Sequence, residues 1–227
     1  MFIVLEGLDG AGKSTQVARL RQLFADRGVE SEFIHFPRFD APIYGELIAR
    51  FLRGEFGDID QVNSYLVALI FAGDRADAAA QIRTWLQAGK VVIVDRYVYS
   101  NISYQCAKLV GTDEERQRLQ AWILHLEYEY YKIPRPDISL FLNVPFSFIE
   151  QKLTEARQGD DRAYLQGAKD IYESSLNFQQ RVRTMYLQAA TTDPTLQIID
   201  GGNAQGMMDT PDNIFTKITQ KLLPILH

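Results

Sequence analysis

The chain has 227 residues, of which 46% are hydrophobic and 23% charged, and its formal net charge at pH 7 is −5. This length predicts a single α/β domain over residues 1–227, with room for one mobile insertion. A chain this acidic is not expected to bind nucleic acid, although a few local arginines suffice for a phosphorylated small molecule. The single cysteine, Cys106, excludes an internal disulfide and is typical of a reducing compartment.

The sequence carries no sign of a membrane protein or a secreted one. No apolar run approaches the roughly 20 residues that a membrane-spanning helix needs. The first apolar run has no basic stretch before it and meets Glu6 after a few residues, unlike a signal peptide. A cytoplasmic protein without a membrane partner is therefore expected.

A glycine-rich motif lies close to the N-terminus. Residues 7–14 read GLDGAGKS and satisfy the pattern G-x-x-x-x-G-K-[ST]. An apolar run suited to a buried parallel strand precedes it, and apolar residues at helical spacing follow it. This strand–loop–helix context favours a phosphate-binding P-loop over a chance glycine-rich turn. Lys13 is predicted to reach the β- and γ-phosphates of a nucleoside triphosphate, and Ser14 to bind Mg²⁺.

Short apolar runs alternate with helical patterns along the rest of the chain. The predicted strands are residues 2–5, 32–36, 91–94, 138–144 and 196–199. Six predicted helices are residues 13–27, 43–53, 61–88, 97–110, 146–153 and 170–190. Another helix is expected to begin at a capping box formed by Thr112 and Glu115, and the last helix at Thr210 and Pro211. This alternation predicts a P-loop α/β fold of three layers, with a five-stranded parallel sheet flanked by helices.

Charged residues follow two of the strands, at the sheet edge where open α/β proteins bind ligands. Arg38 comes just after the second strand, where it is either a phosphate contact, which we favour, or a solvated loop charge. Asp95 ends an apolar strand in the manner of a Walker B carboxylate, which reaches Mg²⁺ or its waters. Arg96 is expected to point into the same cleft.

Two further patterns have alternative interpretations. Phe71 and Arg75 are four residues apart, hence on one helix face, and could stack on a base and hydrogen-bond its edge. From spacing alone, a core phenylalanine beside a surface arginine is the simpler interpretation. Residues 154–169 are polar and contain two glycines as well as Arg157 and Arg162, which suits either a short lid or a solvated loop.

The P-loop leaves several function classes open. A GTPase should carry an N-K-x-D tetrapeptide, and the sequence has none. Motor and ring ATPases usually need a longer chain. A small-molecule kinase needs arginines that bind two sets of phosphates, a lid and an acceptor pocket. Arginines at positions 38, 75, 96, 157 and 162 suit such a kinase.

Five stretches together resemble one family over the whole chain: LEGLDGAGKST, FPRF, LIFAGDR, DRYVYSN and DIYESSLNFQQRVRTMY. They are similar to those of the thymidylate (dTMP) kinases. The resemblance implies phosphorylation of dTMP to dTDP with ATP and Mg²⁺, in a homodimer. It also implies that Asp9, an acid inside the P-loop, interacts with the 3′-hydroxyl of dTMP and with a nearby metal or water.

The resemblance also assigns roles to the ambiguous residues. Phe71 resembles the residue that stacks on thymine, and Arg75 the one that hydrogen-bonds its O4, which reverses the interpretation from spacing. Arg38 and Arg96 resemble the clamp on the dTMP phosphate. Asn101 and Tyr104 resemble residues that line the base and the deoxyribose, and the Tyr172–Glu173 pair resembles one that contacts the sugar and metal-linked water. The full predicted substrate-binding set is Asp9, Arg38, Phe39, Phe71, Arg75, Arg96, Ser100, Asn101, Tyr104, Tyr172 and Glu173.

The remaining predicted roles concern the phosphates and the metal. Gly10 stands where some family members have an arginine, so a lid arginine, Arg157 or Arg162, is expected to supply transition-state charge. The predicted catalytic residues are Lys13, Arg96, Arg157 and Arg162. The predicted nucleotide-binding residues are Gly7, Asp9, Gly10, Ala11, Gly12, Lys13, Ser14 and Thr15, and the predicted metal ligands are Ser14, Asp95, Asp9 and Glu173.

Two rival functions remain at this point. The nearer one is a related P-loop kinase for a deoxynucleoside or another monophosphate. The other is a nucleotide-binding protein without catalysis that works as an interaction module. The presence of Lys13, Ser14, Asp95 and Arg96 speaks against the module.

Overall fold

The structure, a computed structural model, describes residues 1–154, 160–168, 170–173 and 175–225, with the backbone alone for residues 154 and 160–162. Its centre is one five-stranded sheet in the order β2-β3-β1-β4-β5, with every neighbouring pair parallel. The strands are β1 (Phe2–Glu6), β2 (Ser31–His35), β3 (Val91–Asp95), β4 (Ile138–Asn143) and β5 (Leu196–Asp200). The predicted α/β fold with a five-stranded parallel sheet is confirmed.

The middle strand, β1, explains why the strands read as continuous apolar runs. Val4 lies between Val94 of β3 and Ser139 of β4 in the sheet register. All five residues of β1 are buried. Because successive side chains of a strand point to opposite faces, complete burial means that helices cover both faces of the sheet.

Helices cover the sheet in two groups. Helices α1 and α8 contact each other, while α4 joins a second group by packing against α3, α5 and α7. The helices are α1 (Lys13–Asp26), α2 (Tyr44–Leu52), α3 (Ser64–Gln87), α4 (Val98–Lys108), α5 (Asp113–Leu124), α6 (Phe146–Thr154), α7 (Leu176–Thr192) and α8 (Pro211–Leu222). Among the described residues, no helix combines the length and apolarity needed to cross a membrane.

Helix α4 has no solvent face. All eleven of its residues are buried, including Ser100, Asn101, Ser103 and Gln105. Its position between α3, α5 and α7 accounts for this burial. The helix therefore has no clean apolar stripe, because its polar side chains also lie inside the protein.

Several helix ends follow the signals in the sequence. Thr112 accepts the N–H of Glu115 and donates its own backbone N–H to the Glu115 carboxylate, which completes the predicted capping box. Thr210 accepts the N–H of Asn213 ahead of Pro211 at the first turn of α8. Side-chain acceptors satisfy N–H groups that have no partner inside the helix, so these two starts could be located from sequence.

The predicted helix from Asp170 is wrong in its first turns, because α7 begins at Leu176. Asp170 Oδ1 accepts the N–H of Tyr172 at 2.8 Å, a local side-chain bond that favours a turn over a helix. Ser175 then caps α7 by accepting the N–H of Phe178. Residues 170–173 therefore form a turn that leads into the helix.

Three short helices differ from the regular α pattern. A π-helix, His125–Tyr130, follows α5 directly. A 3₁₀-helix, Asp160–Leu165, lies inside the segment predicted as a lid, of which residues 155–159 and 169 fall outside the described part of the chain. A second 3₁₀-helix, Leu223–Ile225, ends the described chain.

A buried carboxylate connects the central strand to α4. Glu6 Oε1 accepts the backbone N–H groups of Tyr97 and Ser100, at 3.0 and 3.3 Å. Its Oε2 accepts the hydroxyls of Ser100 and Tyr186, at 2.6 and 3.0 Å. Burial raises the pKa of Glu6, and these donors offset part of the increase. Glu6 thus caps α4 from the strand that leads into the P-loop.

We expect Glu6→Ala to lower the free energy of unfolding by about 3 kcal/mol or more, since it leaves two buried N–H groups and two buried hydroxyls without their acceptor. Urea denaturation measures this loss. The control is Glu32→Ala on β2, which removes a partly exposed pair with Lys90 and should cost about 1 kcal/mol at most. Equal losses in the two variants would contradict a special role for Glu6.

Candidate active site

A cavity of about 510 Å³ opens at the carboxyl end of the sheet and joins the P-loop to the surface of α3 and α4. It is lined by P-loop residues, by aromatic side chains and by charged groups from several elements. Of the predicted residues, those lining it are Asp9, Gly10, Ala11, Gly12, Lys13, Ser14, Phe39, Phe71, Arg75, Asp95, Arg96, Ser100, Asn101, Tyr104, Tyr172 and Glu173. Residues from separate motifs therefore meet around one space.

The P-loop has the backbone of an anion site. Gly10 and Gly12 have φ of +79° and +84°, a region that favours glycine, and Gly12 directly precedes α1. The N-terminal N–H groups of α1 therefore face the loop, where the helix dipole favours negative charge. Lys13 folds over this loop and donates to the carbonyls of Gly7 and Leu8, at 3.3 and 3.1 Å.

Asp95 lies next to the P-loop lysine. Its Oδ1 is 3.8 Å from Lys13 Nζ, and its Oδ2 is 3.3 Å from Nδ1 of His35. Burial alone would raise the pKa of Asp95, but attraction to Lys13 and His35 outweighs it and lowers the pKa. Burial, with repulsion from Arg96, lowers the pKa of Lys13. The Asp95 carboxylate is therefore ionised beside the P-loop lysine, as binding of a metal cation would require.

Arg96 is held on three sides between the P-loop and α4. Its Nη2 donates to Asp9 Oδ1 at 2.9 Å and to the Tyr104 hydroxyl at 3.2 Å, and its Nη1 donates to Ser100 Oγ. The Tyr104 hydroxyl also donates to Asp9 Oδ2 at 2.9 Å. The backbone of Arg96 has φ of +66°, which is unusual for a residue with a side chain. The backbone N–H of Arg96 donates to the carbonyl of Leu5. The guanidinium is thereby aimed at the cavity.

A second arginine is fixed in the opposite wall. Arg75 is 2% exposed and pairs with Glu127 through two parallel bonds, Nε to Oε2 at 2.5 Å and Nη2 to Oε1 at 2.7 Å. Burial would lower the pKa of Arg75, but the Glu127 carboxylate raises it, so the guanidinium stays charged. Asn101 donates Nδ2 to Glu127 Oε1 and to the carbonyl of Ala68. Its buried Oδ1 has no partner within the described residues.

Aromatic rings surround these charged groups. Phe71 is half-buried in the cavity wall, with its ring edge-on to Phe51 at 6.4 Å. Phe39 stacks on Tyr164, with centroids 3.7 Å apart and planes 7° from parallel. Tyr172 packs against Tyr104 on the neighbouring wall. The cavity wall in this region is therefore largely aromatic.

An acidic group faces this aromatic region. Asp170 accepts the Tyr164 hydroxyl at 2.7 Å, and it lines the cavity together with Glu173 and Asp9. Burial, followed by repulsion from Asp9, raises the pKa of Asp170 to about 7. Asp170 therefore changes charge near neutral pH.

Known proteins match this chain over most of its length. The family model described as thymidylate kinase matches residues 5–208. This chain belongs to the thymidylate kinase family. A probable thymidylate kinase of Thermococcus kodakarensis is 36% identical over 228 residues, covering 98% of both chains. The thymidylate kinase of Mycobacterium tuberculosis (strain H37Rv) is 33% identical over 190 residues, covering 84% of this chain and 86% of that protein.

A solved structure agrees with these sequence matches. The structure of thymidylate kinase from Candida albicans has a TM-score of 0.73 and 28% identity, and the match covers 98% of this chain and 91% of that one. The thymidylate kinase family and the P-loop fold recognised from the sequence are confirmed.

Not every residue predicted from thymidylate kinases lies at the cavity. Arg38 is turned toward α3, where it bonds to Asp74 Oδ1 at 2.8 Å and to Asp77 Oδ2 at 2.6 Å. It is absent from the cavity lining, as are Gly7 and Thr15 of the P-loop. Arg157 lies outside the described residues, and Arg162 is described only as backbone in the 3₁₀-helix. The clamp and lid roles of these arginines stay predictions.

Some cavity residues of this thymidylate kinase family member escaped the sequence analysis. Tyr164 and Asp170 line the cavity but lay within a polar segment and a mispredicted helix. His35 also lines it, and only its place at the end of β2 could have indicated this. Glu127 does not line the cavity, yet it holds two residues that do. An acidic residue among the apolar positions of residues 119–130 was the available signal.

The residues around the P-loop suit a magnesium nucleotide. Ser14 is exposed at the start of α1, and Asp95 Oδ1 is a buried oxygen without a hydrogen-bond partner in the described chain. The described residues contain no cluster of three or more His, Cys, Asp or Glu arranged around a metal. Mg²⁺ commonly binds one or two protein oxygens and completes its shell with water and phosphate oxygens, so Ser14 and Asp95 are a sufficient set.

We expect Asp170→Asn to change how stability depends on pH. The folded-state pKa of about 7 lies above the ordinary aspartate value of 3.8, so folding favours the protonated acid. The stabilisation is complete below pH 3.8 and is lost as pH rises through 7. The neutral amide of the variant does not titrate, so this contribution to the pH dependence of the free energy of unfolding disappears.

Urea unfolding at pH 5, 6, 7 and 8 measures the effect. The free energy of unfolding of Asp170→Asn should rise relative to the unmodified protein between pH 5 and pH 8. Asp212→Asn, which replaces a mostly exposed acid on α8, serves as the control and should show no such trend. Parallel curves for the unmodified protein and Asp170→Asn would contradict the raised pKa.

Proposed function

We propose that this protein transfers the terminal phosphoryl group of ATP to dTMP, giving ADP and dTDP, with Mg²⁺ as cofactor. The observation that carries the proposal is a single cavity in which a P-loop faces a buried donor–acceptor pair. The pair is Arg75, a buried guanidinium in the cavity wall, and Asn101, a cavity-lining residue whose buried amide oxygen has no hydrogen-bond partner in the described chain.

The base would be recognised by this pair. Thymine offers an acceptor at O4 next to a donor at N3–H, and Arg75 and Asn101 Oδ1 offer the complementary donor and acceptor. Cytosine presents a donor at N4 and an acceptor at N3, so both contacts would be mismatched. A site built around buried polar partners rejects such an analogue strongly. Phe71 in the same wall is suited to stack on the ring.

The sugar and acceptor phosphate would lie between the base pocket and the P-loop. Tyr104, whose hydroxyl is held by Asp9, would pack against the deoxyribose. The 2′-hydroxyl of a ribose would collide with the Tyr104 ring. Arg96 reaches from the same cluster toward the phosphates. We propose that it binds the dTMP phosphate, with Tyr172 and Glu173 near the sugar.

ATP would bind at the P-loop, with its phosphates on the N–H groups of residues 7–15 and on Lys13. Ser14 and Asp95 would hold Mg²⁺, whose charge neutralises the phosphates when it is bound. The dTMP phosphate has a second pKa near 6, so it is mostly dianionic at neutral pH and needs no strong general base. Catalysis by this chain's residues is then positioning and charge stabilisation by Lys13 and Arg96. Arg157 and Arg162 are proposed to add charge from the lid.

We also propose that the protein forms a homodimer through α3 and α5, in a cytoplasmic setting. Leu66 is 59% exposed, and Tyr65 and Leu69 beside it are exposed as well. The Tyr65 ring packs edge-on against Trp122 of α5 at 4.9 Å, which extends the apolar patch across both helices. A patch of this kind on a folded protein indicates an interaction surface.

Steady-state turnover with different acceptors tests the proposed reaction. ADP release with ATP and Mg²⁺ should be fast with dTMP, slower with dUMP, and nearly absent with thymidine and with the ribose form of TMP. With dCMP, kcat/KM should be lower than with dTMP by at least about 100-fold. A preference for thymidine would make this a nucleoside kinase, and ATP binding without turnover of any acceptor would leave a non-catalytic module.

We expect Leu66→Lys to shift the protein toward the monomer, because a charge would be buried at the proposed interface, with association weakened by about tenfold or more. Sedimentation velocity over a range of protein concentrations measures the change. Leu223→Lys is the matched control, since Leu223 is 60% exposed but lies at the far end of the chain. An unmodified protein that sediments as a monomer at all concentrations would overturn the proposed dimer.

A further inference from the structure

Glu127 is a charged residue in an unusual place. It is fully buried, yet it does not line the cavity. Burying a carboxylate is costly unless it is paired and hydrogen-bonded. Both of its oxygens are used: Oε2 accepts from Arg75, and Oε1 accepts from Arg75 and from Asn101. Among the described residues, the hydrogen-bond partners of this carboxylate are thus both residues of the cavity wall.

Helical spacing explains how Glu127 reaches this position. Helix α5 buries Leu119 and Ile123, four residues apart, and the next buried pair is Leu126 and Glu127. Tyr130, seven residues after Ile123, would lie on the same face of a continuous α-helix but is 72% exposed. The wider turn therefore changes the phase of the helix only after Glu127, which keeps the inward position expected four residues after Ile123.

The carboxylate also decides which atoms of its partners remain for a ligand. Because an ionised carboxylate only accepts hydrogen bonds, it selects the Nδ2 side of the Asn101 amide and leaves Oδ1 unpaired. It occupies Nε and Nη2 of Arg75 and leaves Nη1 with no partner in the described residues. One buried acid thus fixes the orientation of both the Asn101 amide and the Arg75 guanidinium.

We propose that Glu127 is a positioning residue that sets the base specificity of the cavity by orienting Arg75 and Asn101 together. This inference rests on the proposed function. The resulting donor and acceptor match the O4 and N3–H edge of thymine or uracil and oppose the corresponding edge of cytosine. Glu127 acts without touching the nucleotide, through the orientation of the two residues that do.

Glu127→Gln tests this role with almost no change in size. A glutamine oxygen replaces one carboxylate oxygen, but its NH₂ group must then face Arg75 or Asn101, which already donate. Rotation of the Asn101 amide relieves the conflict and turns its NH₂ group toward the cavity. Thymine N3–H would then meet a donor, whereas the acceptor N3 of cytosine would gain a partner.

The measurement is kcat and KM for dTMP and for dCMP, with ATP saturating. For Glu127→Gln we expect KM for dTMP to rise by about 10- to 100-fold, with a much smaller change in kcat. The ratio of kcat/KM for dTMP over dCMP should fall by at least about tenfold. A merely structural role would lower the amount of active protein without changing this ratio.

Two further variants make the result decisive. Glu127→Asp keeps the buried charge and carries the test if the glutamine variant does not fold at the assay temperature. It should show a smaller loss of the same dTMP preference, because the shorter acid cannot hold both partners. Asp193→Asn, which weakens a side-chain bond to Tyr99 away from the cavity, is the control and should lower stability without changing the ratio.

The outcomes separate this inference from the proposed function. No dTMP turnover by the unmodified protein would refute the proposed function. Normal dTMP turnover by the unmodified protein, with an unchanged dTMP-to-dCMP ratio in folded Glu127 variants, would overturn the positioning role alone. An equal fall of the ratio in Asp193→Asn would also overturn it, because the effect would then follow general destabilisation.

Discussion

The arrangement of the cavity depends on the hydrogen bonds that the carboxylate of Glu6 accepts. It lies at the end of the central strand, one residue before the P-loop, and accepts the N–H groups of Tyr97 and Ser100 at the start of α4. These bonds set the distance between the phosphate loop and Arg96. A buried acid that accepts several hydrogen bonds is worth more as a geometric constraint than as a source of stability, because its desolvation opposes much of the gain.

The same principle recurs around the cavity. Within the part of the chain that the structure describes, each lysine or arginine that lines it has a carboxylate partner: Lys13 with Asp95, Arg96 with Asp9, and Arg75 with Glu127. Paired side chains keep one orientation, so little reorganisation is needed when charge develops on a substrate. An acidic chain can still bind anionic substrates, since these three cations line one cleft although the net charge of the chain is −5.

Local signals made much of the fold predictable from the sequence. Helix α1 was predicted over residues 13–27 and runs over Lys13–Asp26, because a P-loop before it and Gly28 after it fix both ends. The start of α7 was mispredicted because Asp170 and Ser175 form side-chain bonds that compete with helical periodicity. Such competition depends on geometry that hydropathy does not encode.

The site was predictable only as far as its residues lay in recognisable motifs. The P-loop, Asp95 and Arg96 follow directly from their positions at strand ends. The pairing of Arg38 with Asp74 and Asp77, and of Arg75 with Glu127, joins positions 36 to 52 residues apart. Nothing in a single sequence connects such positions, because the contact exists only after the chain has folded.

The complete burial of α4 has a consequence for how this chain can vary. A helix with a solvent face accepts many substitutions there, so its tolerated positions recur every three to four residues. Helix α4 has no such face, and its polar residues are buried as completely as its apolar ones. Mutational tolerance along Val98–Lys108 should therefore be uniformly low and without helical periodicity. In this segment a lack of variation among related sequences reflects packing as well as chemistry, so invariance alone cannot single out the residues that contact substrate.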